Sequence, residues 1–174
     1  MQDDITDTLK TLIKSGYVNK DQVCIVGWSY GGYAALAGAT FTPDLYQCAI
    51  SINGLSDIER MMQDERKDYS ADHSVYKYWQ KLTANGTVNS DHLKAISPIN
   101  HVEKVQVPVL LIHGEHAEVV PEHQSEDMFD ELEDADKAVT FISLDDGDHY
   151  LSTAKHRLQA LQAVDRFLYK KLIA

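Results

Sequence analysis

Apolar residues Ile5, Leu9, Leu12 and Ile13 recur at the spacing of one helical face between Asp4 and Ile13, and Gly16 supplies a stop. The run Gln22-Val23-Cys24-Ile25-Val26 that follows is short, apolar and partly β-branched, which suits a strand covered on both faces. Comparable runs are Cys48-Ala49-Ile50-Ser51-Ile52, closed by Asn53-Gly54; Val107 to Ile112, closed by His113-Gly114; and Ala138 to Leu144. Small residues from Tyr33 to Thr40, and stretches near Glu122 to Leu132 and Thr153 to Leu172, predict helices between and after these strands. Such alternation is the order of right-handed parallel crossover units, so the chain is predicted to be α/β, with about four parallel strands and flanking helices.

The segment from about 56 to 104 breaks the pattern. It is polar, carries Tyr69, Tyr76, Tyr78 and Trp79, and is longer than a usual crossover, which predicts a mostly helical insertion over one end of the sheet. No repeat, low-complexity tract or linker divides the chain. Its 174 residues, 44% hydrophobic, fit a single domain with one core.

A net charge of −11 surrounds that core with a negative field, which disfavours nucleic acid and anionic membranes as partners. No apolar run approaches the roughly 18 residues of a membrane span. Met1-Gln2-Asp3-Asp4 has neither the basic nor the apolar region of a signal peptide, so the chain as given is expected to be soluble and cytoplasmic. Cys24 and Cys48 both fall in apolar runs and read as free buried thiols.

Chemistry enters at Gly27-Trp28-Ser29-Tyr30-Gly31, a G-x-S-x-G pattern with Gly32 after it, set between a predicted strand and a predicted small-residue helix. That is the context of a nucleophile elbow, a strained turn that lifts a serine hydroxyl above the sheet while glycines spare collisions with neighbouring backbone. A serine hydroxyl needs a base near neutral pH, and in this fold the chain order is Ser, acid, His. Of eight histidines, His149 in Asp145-Asp146-Gly147-Asp148-His149 lies just after the last strand and before the last helix, where the base belongs. His73, His92, His101, His123 and His156 read as surface residues. His113, Glu115, His116 and His123 match no spacing of a known metal motif, so no metal and no cofactor is expected.

The acid should come from the loop after the third strand, where it would hold the imidazole in its tautomer. That loop reads His113-Gly114-Glu115-His116-Ala117-Glu118-Val119-Val120-Pro121 and offers Glu115 and Glu118.

The residues Gly27-Trp28-Ser29-Tyr30-Gly31-Gly32-Tyr33, Ser97-Pro98-Ile99-Asn100, Val107 to Gly114 and Asp148-His149 together resemble the prolyl oligopeptidase family, which includes dipeptidyl peptidases and acylaminoacyl peptidases. The resemblance implies an α/β-hydrolase fold and a serine peptidase, with Ser29 as nucleophile, His149 as base and the Tyr30 N–H as an oxyanion donor. The family loop H-G-x-x-D-x-x-V-P would place its catalytic aspartate at Ala117, so the acid is lost here, and Glu118 is a weak substitute because a one-residue shift aims its side chain elsewhere. Asp72-His73-Ser74-Val75-Tyr76 resembles the family's pocket for the residue before the scissile bond, and makes Tyr76 a candidate pocket residue.

The family's catalytic domain also has strands before its nucleophile strand, so the resemblance implies a fold truncated to its C-terminal half. The second oxyanion donor would then be absent, a loss worth about 100- to 1,000-fold in rate. With the acid lost as well, weak or no activity is expected. The nucleophile strand would become an exposed edge, predicting self-association or a completing polypeptide. Expected substrates are peptides or small acyl compounds; an esterase or thioesterase, or a catalytically silent assembly module, are the alternatives.

Overall fold

A computed structural model of the chain describes residues 2–68, 73–84 and 89–173; Tyr69 and Asp72 of the insertion lie outside them. Four strands form one parallel sheet in the order β1-β2-β3-β4: β1 Cys24–Trp28, β2 Cys48–Ile52, β3 Val109–His116 and β4 Val139–Asp148. Helices α1 Gln2–Lys14 and α2 Tyr30–Phe41 flank β1, α6 His123–Asp134 joins β3 to β4, and α7 Ala154–Leu172 ends the fold. The first helix stops at Gly16, whose φ of 74° is left-handed, as the sequence led us to expect.

Side chains along the inner strands alternate between two apolar layers. Ala49, Val109 and Leu111 pack with Leu36 of α2 and with Met128 and Leu132 of α6. Ile50, Leu110 and Ile112 pack on the other face with Leu144, Leu151, and Ala160 and Ala163 of α7. Because Ala49, Ile50 and Ile52 of β2 and Val109 to Ile112 of β3 all meet one layer or the other, these stretches read as continuous apolar runs.

The margin of the sheet is different: on β1, Val26 is 45% and Trp28 41% exposed. The expected boundaries shift here, since the strand begins at Cys24 and runs on to Trp28, immediately before the nucleophile turn. Cys24 and Cys48 face each other in the β1–β2 register with Cα atoms 4.7 Å apart, and they form a disulfide. This corrects the reading of free thiols: apolar runs showed that both were inside, but only the pairing of the strands set them opposite each other.

Among the described residues, the insertion forms three helices, α3 Ile58–Asp68, α4 Ser74–Ala84 and α5 Ser90–Ala95, followed by 3-10 turns over Pro98–Lys104. It is tied down at both ends. Gln124 Oε1 accepts from the backbone N–H groups of Ser56 (2.9 Å) and Asp57 (2.8 Å), and the Tyr33 hydroxyl donates to the Ile96 carbonyl at 2.9 Å. No helix among the described residues is long and apolar enough to cross a membrane.

Candidate active site

Ser29 sits between β1 and α2 with φ 55° and ψ −121°, a backbone strain that a non-glycine residue adopts only when its surroundings enforce it. The enforcement is visible. Ser29 N–H donates to the Ile52 carbonyl at 2.8 Å, and a Cβ on Gly27 would collide with the Gly31 carbonyl. Gly32 lies so close to β2 that a Cβ there would stand 2.7 Å from Gly54 Cα.

This turn aims the hydroxyl at the far end of the chain: Ser29 Oγ is 3.1 Å from His149 Nε2. Thus the two residues chosen from the sequence, 120 positions apart, meet at hydrogen-bond distance. His149 is 5% exposed, and burial lowers its pKa below the ordinary 6.5, an effect opposed in part by the Asp148 carboxylate. The imidazole is therefore neutral and able to accept a proton at neutral pH. Tyr30 opens α2 directly after Ser29, where the first backbone N–H groups of a helix have no intrahelical acceptor.

The other imidazole nitrogen is different. His149 Nδ1 is buried and has no hydrogen-bond partner among the described residues. Ala117 is buried in the loop after β3, its N–H held by the Gly114 carbonyl at 3.0 Å. Neither nearby glutamate makes up for it: Glu115 accepts from the Asp146 N–H at 3.1 Å, and Glu118 lines a cavity beside Ser29.

That cavity, of about 420 Å³, is walled by Tyr30, Leu55, Met61, Trp79 and Val120. Trp79 of α4 packs at a tilt against Tyr30 with ring centroids 6.0 Å apart, which brings the insertion against this cavity. Tyr76, the residue expected to form the pocket, points instead into the insertion's own core with Ile58, Met61, Met62 and Leu93. A helix turn separates the two: from Tyr76, the residue three positions on, Trp79, faces the cavity.

Three residues were not singled out for the site from the sequence. His113 is fully buried; its Nε2–H donates to the Val120 carbonyl (2.8 Å) and its Nδ1 accepts from the Ser125 hydroxyl (2.7 Å), fastening the loop that carries Ala117. Burial pushes its pKa down to about 4. Trp28 and Asn53 both donate to the His149 carbonyl, at 3.0 and 2.8 Å. The sequence signals for them were the motif position just before Ser29 and the Asn53-Gly54 turn. Of the histidines read as surface residues, His156 is 4% exposed, with Nε2 3.1 Å from the Asp145 carbonyl, and His123 pairs with Asp64 at 2.9 Å. Glu115, His116 and Asp146 converge on the surface, while His113 and His123 point elsewhere.

The sequence profile of the prolyl oligopeptidase family matches residues 1–173. The chain is 29% identical over 158 residues to dipeptidyl aminopeptidase BIII of Pseudoxanthomonas mexicana, covering 86% of this chain and 22% of that protein. To dipeptidyl peptidase family member 6 of Caenorhabditis elegans it is 25% identical over 182 residues, covering 99% and 23%. Among solved structures, it superposes on a puromycin-hydrolyzing peptidase of Mycobacterium tuberculosis with a TM-score of 0.86 at 25% identity, covering 99% of this chain and 25% of that one. An acylaminoacyl peptidase bound to a peptide chloromethyl ketone gives 0.77 at 26% identity, covering 94% and 26%. The chain thus spans about a quarter of the length of the relatives it matches. Its parallel sheet, its serine elbow facing a histidine and the match over residues 1–173 make it a member of the prolyl oligopeptidase family, with the α/β-hydrolase architecture of that family's peptidases.

Proposed function

We propose that this chain carries the nucleophile and base of a serine peptidase. The observation behind this reading is the 3.1 Å contact between Ser29 Oγ and His149 Nε2 on a strained elbow beside a cavity. His149 takes the Ser29 proton as Oγ attacks the acyl carbon of a peptide. The oxyanion forms against the Tyr30 N–H, and His149 returns the proton to the leaving amine. Water, deprotonated by His149, then releases the acyl group and restores Ser29. The apolar part of the cavity wall suits an apolar substrate side chain, and the carboxylates of Asp64, Glu65 and Glu118 line the same cavity.

The unpartnered Nδ1 favours a second reading for the chain as it stands, in which activity is weak or absent. The exposed apolar margin of β1 supports a place for a second copy or a completing polypeptide, and a strictly monomeric profile by light scattering would count against self-association. The Cys24–Cys48 bridge favours an oxidising compartment over the expected cytoplasm.

Labelling with a fluorophosphonate tests the reading. Specific labelling that disappears in Ser29→Ala supports an activated serine, whereas equal labelling of both proteins rejects it. Faster turnover of a peptide anilide than of a short acyl ester then separates a peptidase from an esterase or thioesterase.

A further inference from the structure

We propose that Trp28 and Asn53 are positioning residues that hold His149 on Ser29 by fixing the backbone carbonyl of His149 from two sides. The Trp28 indole Nε1–H donates to that carbonyl at 3.0 Å and the Asn53 amide at 2.8 Å, which occupies both lone pairs of one oxygen. The same Asn53 nitrogen lies 3.5 Å from the Asp148 carbonyl.

Each donor is covalently next to something that fixes the serine. Trp28 immediately precedes Ser29 on β1. Asn53 immediately follows Ile52, whose carbonyl accepts the Ser29 N–H at 2.8 Å. The hydrogen bonds therefore close a ring: Ser29 to Ile52, Asn53 to His149, Trp28 to His149, and His149 Nε2 back to Ser29 Oγ. Asn53 also spans β3, because its Oδ1 accepts the Gly114 N–H at 2.8 Å and its own N–H donates to the Ile112 carbonyl at 2.8 Å.

The backbone of Asn53 is built for this. Its φ of 46° is left-handed, which asparagine tolerates better than most residues, and it is completely buried. The loop it grips needs the restraint: Asp146 and Leu151, on either side of His149, also have positive φ, at 58° and 46°. Among the described residues no side chain hydrogen-bonds the imidazole at Nδ1, so beyond the edge-on contact of the Tyr150 ring at 5.3 Å its placement rests on the backbone carbonyl.

The consequence for reactivity rests on the acyl-transfer reading; the clamp itself does not. Trp28→Phe removes only the indole N–H, and Asn53→Gly removes the amide while keeping the left-handed φ. We expect each to slow fluorophosphonate labelling of Ser29 about tenfold and the pair about 100-fold, the scale on which an oriented reaction responds to a misplacement of about 1 Å. The acid limb of the labelling–pH profile should shift in both variants, since burial and contacts of His149 change. In parallel, NMR of ¹⁵N-histidine protein reads the His149 ring directly, and its resonances should move in both variants while thermal unfolding of Trp28→Phe stays cooperative.

Wild-type labelling rates with unchanged pH profiles in both variants would overturn the clamp and leave the serine reading intact. If the wild-type protein itself fails to label, the serine reading falls, and the NMR arm still decides: moved His149 resonances support the clamp and unmoved ones overturn it. Should Asn53→Gly not fold, Trp28→Phe, changed at the exposed margin of the sheet, decides alone.

Discussion

His149 presents Nε2 to Ser29 Oγ at 3.1 Å while its Nδ1, also buried, meets no acceptor among the described residues. On the proposed reading, the nucleophile and base of a triad are in contact, and no described carboxylate meets the imidazole from the other side. The missing carboxylate falls at Ala117 by sequence resemblance, in a loop that His113 already holds in position. Ala117→Asp should raise the rate of Ser29 labelling and of ester hydrolysis by roughly 100-fold or more, toward the ~10⁴-fold that a triad acid supplies. No gain would mean that a carboxylate at 117 does not reach Nδ1.

The pH dependence follows from burial of His149. Its pKa is lowered, so the neutral base persists to more acidic pH than for an exposed histidine. The acid limb of the labelling rate should have its midpoint below 6.5, and Ala117→Asp should move it upward, since a nearby carboxylate favours the imidazolium. A wild-type midpoint at or above 6.5 would contradict the burial argument.

His113 makes stability depend on pH as well. Its folded-state pKa of about 4 lies below the ordinary 6.5, so the folded protein resists protonation that the unfolded chain accepts. The stabilisation is complete above pH 6.5 and is lost as pH falls towards 4, by up to about 3 kcal/mol at about 1.4 kcal/mol per pKa unit. Urea unfolding at pH 7 and pH 4.5 measures this. His113→Leu should be less stable at pH 7, because it strands the Val120 carbonyl and the Ser125 hydroxyl, and it should lose much less on acidification. Equal pH dependence in the two proteins would place the effect elsewhere.

The disulfide closes a segment with a sequence separation of 24 and ties the nucleophile strand to β2. Replacing both cysteines with alanine should lower unfolding free energy by about 2–4 kcal/mol, read from denaturant titrations. Alkylation of the unfolded, unreduced protein should modify neither cysteine; modification of both would show that the bridge does not form.

Element types were legible because periodicity is local. The run from Cys48 to Ile52 became β2 with those bounds, and Thr153, expected at the start of the last helix, became its N-cap, accepting from the His156 N–H. Boundaries drifted where strands ran on into the site, as at Trp28, His116 and Asp148, because those residues are set by neighbouring loops rather than by an apolar layer. Tyr76 does not line the cavity for a related reason: it lies one turn before Trp79 on the same side of α4, and which turn reaches a cavity is decided by the elements packed against the helix.

By itself the sequence determined the class of fold and the family, and it pointed to Ser29, His149 and the alanine at 117, since each is carried by spacing along the chain or by residue identity in a motif. Only the tertiary structure decided that Cys24 meets Cys48, that His113 is locked inside, and that Trp28 and Asn53 converge on one carbonyl of His149. Those relationships join residues from different strands and loops, and distance between such residues is fixed by strand register and packing, which no local pattern of residues records.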